Sequence, residues 1–307
     1  MNTKHYPAGS AQGKGGQFAP KDSSATGSGA NVVLFSASKP VSALDYVPKT
    51  TREGKPRIFF KDLPVEEQMR LSRDFKNSHA DVLGVSDYYY DNFNTSKIKS
   101  DERNMKREMW ANEEIEDQLK TGPKKQERKA VLVLGLPGSG KSTIANPLLE
   151  QMGAFGIDAD NIKERIPEFQ KDERMAGAVH QESVSVSKKM MNELAKNGYN
   201  LVIGKVGGDY ESVVDYLDMC QQNGYEVETV LVDVPFQVAM DRTIGRYDRG
   251  ETKRLIPMWT IKTADAGIYD TFNKVLQHPS IVKGKIYNND VEEGQEPELV
   301  QEFEKEK

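Results

Sequence analysis

Cysteine is almost missing from this 307-residue chain: Cys220 stands alone. No intrachain disulfide is possible, and a reducing, cytoplasmic setting is expected. No basic or histidine residue flanks Cys220, so it reads as a small buried hydrophobe. Histidine is scarce as well, 4 residues scattered along the chain, and no ligand-spaced cluster suggests a structural metal. Long apolar runs are absent. Nothing approaches a membrane span, and the polar first residues hold no signal-peptide core. Neither sign of charge dominates, and a net charge of −5 gives no reason to expect a general nucleic-acid binder.

What is present divides into four stretches. Residues 1–30 are rich in Gly, Ser and Ala without apolar periodicity and are expected to form a disordered tail. Residues 31–122 read as a mostly helical N-terminal extension, with the short apolar runs NVVLFSA and PRIFF ahead of two helices. In the first helix Val65, Met69, Leu71 and Phe75 approximate one face. In the second, capped by Ser100, the pattern turns Met105, Met109 and Leu119 inward and leaves Arg103 and Lys106 solvated. TGPKKQERK then reads as a flexible basic linker. Across 123–290 strands and helices alternate: AVLVLG, NLVIG, VETVLVDV and GKIYN are apolar runs, and the helical stretches 183–196 and 210–222 end near Gly198 and Gly224. Alternation of this kind implies an α/β fold, a parallel sheet with helices on both faces. Residues 291–307 are expected to be an acidic tail, solvated or loosely helical.

The run GLPGSGKST carries chemistry. It fits G-x-x-x-x-G-K-[ST] and lies between an apolar strand and a helix-compatible stretch, the context that a phosphate-binding P-loop requires. Its glycines Gly135, Gly138 and Gly140, with Pro137 and Ser139, let backbone N–H groups turn inward around a polyphosphate. Lys141 can reach the β- and γ-phosphates, Ser142 can ligate Mg²⁺, and Thr143 completes the first helical turn. A nucleotide with Mg²⁺ is therefore expected, while the loop alone leaves kinases, GTPases, motors and remodelling ATPases open. ATP and a P-loop kinase-type parallel sheet follow only with the segments later in the chain and the resemblance they carry.

Two further segments matter. VAMDRTIGRYDRGETKRLIP concentrates Arg242, Arg246, Arg249 and Arg254, with Arg165 a separate candidate. An arginine-rich lid can close on donor phosphates, although interleaved acids also allow a solvated basic helix. FGIDADNIK sets Asp158 and Asp160 one residue apart. Placed at the carboxyl end of the strand beside the P-loop strand, they could orient an acceptor hydroxyl and take its proton, or they could only cap the next helix.

In order, GLPGSGKST, IDADNIKERIPEF, GYNLVIGKVGG and DRTIGRYDRGETKRLIP resemble the zeta-toxin family of P-loop kinases over about 130–289. The resemblance implies ATP- and Mg²⁺-dependent phosphorylation of a UDP-activated sugar, chiefly UDP-N-acetylglucosamine, within bacterial toxin–antitoxin systems and their phage relatives. It implies that Lys141 and Ser142 handle phosphate and Mg²⁺, that Asp160 is the catalytic base with Asp158 supporting it, and that Arg246 and Arg254 are the lid arginines. His180 and Glu182 sit where acceptor-side groups are expected. The chain departs from the family where many members carry an acceptor-binding Glu: Gly204, Lys205 and Val206 stand there instead. Lys205 only donates hydrogen bonds where a carboxylate accepts them. Other acceptors thus stay open (a nucleoside, a nucleic-acid end, an antibiotic), as does an ATP-binding scaffold associated with phage. An antitoxin or a phage protein is the partner that the resemblance implies.

Overall fold

The computed structural model describes residues 32–36, 38–292 and 294–306; the tail expected over 1–30 lies outside them. Seven strands form one sheet: β1 (Val32–Phe35), β2 (Lys129–Gly135), β3 (Phe155–Ile157), β4 (Leu201–Lys205), β5 (Glu226–Asp233), β6 (Ile281–Asn288) and β7 (Glu298–Lys305). Their order is β1-β7-β6-β5-β2-β4-β3, and every pairing is parallel except β6 with β7. The helices are α1 (Val65–Ser78), α2 (Ala80–Asn92), α3 (Asp101–Leu119), α4 (Lys141–Gln151), α5 (Ala159–Lys163), α6 (Pro167–Lys171), α7 (Ala176–Lys196), α8 (Glu211–Gln222), α9 (Phe236–Asp248) and α10 (Met258–Leu276).

Strand alternation divides the core in two. On β2, Leu132 and Leu134 join the large cluster with α7, α8 and α10, while Val131 and Val133 face Ile144, Leu148 and Leu149 of α4. Both faces of β2 are covered, which is why its sequence reads as a continuous apolar run. Beyond α4 the same face turns polar: Lys285 pairs with Glu228 at 3.4 Å and Lys283 with Glu302 at 3.3 Å. The solvated side of the antiparallel β6–β7 pair needs no apolar cover. Cys220 is buried, and burial pushes its thiol up to about 12, as suits an inert core residue.

Several expectations are corrected. The acidic end of the chain is a strand, because its alternation hides Gln301 and Phe303 against the sheet while the glutamates point out. The P-loop strand does not neighbour the strand that carries the aspartates, since β4 lies between β2 and β3. In α3, Met105 and Met109 are exposed, as is Leu119; Arg103, Arg107, Trp110, Ala111 and Glu114 face inward. Ser100 does cap that helix, its Oγ accepting from the Arg103 N–H at 3.2 Å. Hydropathy misled here because the buried stripe consists of ion pairs. Arg103 and Arg107 converge on Glu182 of α7 at 2.6 and 2.7 Å, and Arg103 also holds Glu168. In α1 only Phe75 is buried, and Val65 and Met69 face solvent. The basic linker is an ordered strap: Lys125 bonds the backbone of Gly153 and Asn200, joining β3 to β4 at their starts.

Candidate active site

The P-loop links β2 to α4 in the middle of the sheet. Gly138 and Gly140 take positive φ, +80° and +81°. A Cβ on Gly138 would lie 2.5 Å from the Ala239 carbonyl, and one on Gly140 would lie 2.2 Å from the Asn289 amide, so only glycine fits either position. Asn289 follows β6; its Nδ2 donates to the Ser139 carbonyl at 2.7 Å and its N–H to the Asp233 carbonyl. Nothing local in the sequence marks this clamp. The Lys141 ammonium bends back to donate to the carbonyls of Gly135 and Leu136 at 2.8 and 3.0 Å. Burial lowers it to about 8, with Arg246 adding to the fall and Asp158 and Asp160 opposing it. The Ser139 hydroxyl is buried without a partner. An enclosed ammonium, an unpartnered hydroxyl and a glycine-lined turn at a helix start suit a polyphosphate. Ser142 lies in the first helical turn, where it would hold a Mg²⁺ carried by a nucleotide. Among the described residues no three His, Cys, Asp or Glu converge on a metal position.

The aspartates stand two strands away. Asp158 ends β3 and caps α5, accepting from the Asp160 N–H at 2.8 Å. Burial and the neighbouring Asp160 raise its pKa. Asp160 is half open to the cleft, 52% exposed, and bridges two cations: Lys163 Nζ at 2.7 Å and Arg254 Nη2 at 3.0 Å. Burial works to raise this carboxyl, but Lys163 and Arg254 outweigh it and hold it well below the usual range. The pair is thus split in proton affinity by its surroundings. Lys163 was legible only as the last residue of D-x-D-x-x-K, one turn after Asp160.

The structure sorts the remaining candidates. Arg254 comes from the loop after α9 and reaches Asp160; Arg246 lies in the last turn of α9, exposed, with its charge felt at Lys141. Arg242 bonds the Asn289 carbonyl and Arg249 pairs with Glu251. Arg165 binds Glu114 and Asp117 of α3, away from these arginines. His180 on α7 lies within reach of the charges of Lys163, Asp160 and Arg254; desolvation, aided by Lys163, lowers it to about 4 and keeps it neutral at pH 7. Glu182 is fully buried, its carboxylate taken by Arg103 and Arg107. Gly204 adjoins Asp158, a Cβ there meeting Asp158 Oδ2 at 3.5 Å, and Lys205 turns to the opposite face of the sheet. The loop after α9 is tethered: the Thr252 hydroxyl and the Lys253 N–H both donate to Glu173.

A family model described as Zeta toxin matches residues 112–293, more than half of the chain. The chain belongs to the zeta toxin family. Among its relatives, Toxin zeta of Streptococcus pyogenes is 27% identical over 144 residues, 45% of this chain and 50% of that protein. Toxin zeta of Enterococcus hirae is 29% identical over 140 residues, 43% and 49% of the two chains. The chain thus spans about half the length of the curated relatives it matches. A solved structure from the PezAT chromosomal toxin-antitoxin system of Streptococcus pneumoniae superposes with a TM-score of 0.54 at 16% identity, covering 67% of this chain and 81% of that one. The complex AvrRxo1-ORF1:-ORF2 with ATP gives 0.50 at 16% identity over 66% and 68%. The likeness to these two solved structures shows a shared fold. No helix among the described residues is long and apolar enough to cross a membrane.

Proposed function

We propose that the chain is an ATP-dependent phosphotransferase that moves the γ-phosphate to a hydroxyl of a UDP-activated sugar, as the family resemblance implies. One observation carries this reading: the 3.0 Å bridge from lid Arg254 to Asp160, which joins the donor-side lid to the acceptor-side carboxylate across the strand ends. Nucleotide binding alone has no use for such a carboxylate. The P-loop backbone and Lys141 would hold the polyphosphate, and Arg246 and Arg254 would stabilise charge on the group in transit. Bound Mg²⁺ would supply further charge neutralisation there. Asp160 stays ionised at neutral pH and orients the acceptor hydroxyl as a hydrogen-bond acceptor. A loose transition state asks for little early proton removal, so a weakly basic carboxylate suffices.

Gly204 in place of the family's Glu favours a second acceptor reading within the same reaction, because no carboxylate at that strand end is left to receive neutral sugar hydroxyls. The partner implied by the resemblance is an antitoxin. The test is a mass-spectrometric screen with ATP·Mg²⁺ and a panel of UDP-sugars, other nucleotide sugars, nucleosides and nucleic-acid ends. Asp160→Asn is expected to lower transfer by about 10²–10⁴ while ATP affinity stays within about twofold. If both fall together, Asp160 belongs to the fold and not to the reaction. If no acceptor is phosphorylated while ATP binds, the scaffold reading replaces this one.

A further inference from the structure

Lys205 ends β4 in register with Leu134, the residue before Gly135 of the P-loop, so it stands one strand from the phosphate cradle on the side of the aspartates. Its side chain is half-buried. Nζ donates to the Tyr216 hydroxyl at 3.2 Å and lies 4.4 Å from the centre of that ring. Lys188 shares the ring at 5.3 Å but has its own carboxylate, Asp215 at 2.5 Å. Among the described residues no carboxylate comes within ion-pair distance of Lys205, whose partner is a neutral hydroxyl. Of the acids whose charge reaches it, Asp158 accepts from the Asp160 N–H through one oxygen and Asp209 accepts from the Ser212 N–H.

An ammonium drawn from water without an anion is costly, and a ligand that brings one removes the cost. Burial lowers the Lys205 pKa; the charges of Asp158 and Asp209 oppose that fall without touching the ammonium, and those of Lys188 and Lys163 add to it. We propose that Lys205 receives an anionic group carried by the acceptor beside the hydroxyl that is phosphorylated, so that the acceptor is an acidic sugar and not a neutral one. This rests on the kinase reading above. The anion is a carboxylate or a phosphate, and both present oxygens to the same ammonium.

The test is calorimetric binding to the full chain with matched ligand pairs: UDP-glucuronate against UDP-glucose, and glucose 6-phosphate against glucose. The anionic member of at least one pair is expected to bind about tenfold more tightly, the scale of a charge-assisted hydrogen bond. The pair that shows the difference identifies carboxylate or phosphate. Lys205→Met removes the preference with ATP affinity unchanged, and Lys205→Arg keeps it. Should Lys205→Met fail to fold, acylation of the wild type decides: the anionic ligand shields Lys205 from an amine-reactive ester, read by mass spectrometry, and its neutral partner does not. Equal behaviour within every pair, absence of binding included, overturns the proposal, as does a preference that survives Lys205→Met. Phosphate transfer to neutral acceptors, lost in Asp160→Asn, would leave the kinase reading standing and sink this one.

Discussion

At the scale of single residues, the site works by withholding ordinary partners. Lys141 has backbone carbonyls for company, and its enclosure lowers it to about 8. A bound polyphosphate restores the counter-charge and raises that pKa, so ATP binding must draw in a proton wherever free Lys141 is partly neutral. Calorimetry at pH 8 to 9, in buffers of different ionisation enthalpy, should register net proton uptake that fades towards pH 6. Lys141→Met should abolish it and weaken ATP binding. Uptake that persists in the variant would assign the proton elsewhere. Asp160 shows the complementary arrangement, a carboxylate kept ionised by two cations from different elements.

At the scale of elements, the tie between α3 and α7 is ionic. Glu182 lies at its centre with Arg103 and Arg107, and Trp110 places its ring 4.9 Å from the Arg103 guanidinium. Removing the charge from one member of a buried set leaves the others uncompensated, which costs about 3–5 kcal/mol. Glu182→Gln is therefore expected to lower the urea midpoint strongly, with ATP affinity retained in the folded fraction. A variant of normal stability with a raised acceptor KM would instead return Glu182 to the acceptor site, the role its place in the sequence suggested. This network also explains why α3 turns its methionines out and its arginines in, against its amphipathic pattern. Amphipathic pattern assigns methionines to the core and arginines to water, and that rule fails wherever guanidinium groups bury as pairs.

At the scale of the whole molecule, the segment before α1 is structurally continuous with the central sheet. Arg57 forms a bidentate, fully buried pair with Asp233 at 2.6 and 2.8 Å. The Asp233 carbonyl holds Asn289, and Asn289 clamps the P-loop, so a chain of bonds runs from residue 57 to Ser139. Nearby, Asp265 on α10 accepts from the Phe60 N–H with one oxygen, while the other has no partner. Burial, with Asp233 adding, raises its pKa to about 6 against Phe60 and Arg57. A raised carboxyl pKa means that the folded state binds the proton more tightly than the unfolded chain does. The stabilisation is complete below about pH 4 and is lost as pH rises through about 6. Denaturant titrations of wild type and Asp265→Asn should therefore differ in slope between about pH 4 and 6, by at most about 1.4 kcal/mol per pH unit. Parallel curves would show that Asp265 titrates normally.

The sequence by itself determined whatever depends on neighbours along the chain. The P-loop and its glycines, the alternation that builds the central strands, the cap at Ser100 and the D-x-D-x-x-K spacing are all local, because backbone geometry and helix capping act within a few residues. Only the tertiary structure decided what comes from far along the chain. Asn289 meets Ser139, Arg254 meets Asp160, and Arg57 meets Asp233 across the fold. The acidic C-terminal segment became a strand because β1 and β6 offer open edges to it. Lys205 ended beside a tyrosine with no carboxylate because strand alternation turns it away from Asp158, which Gly204 faces. Pairings of that kind are set by where chain segments pack, and no pattern within a window of the sequence encodes them.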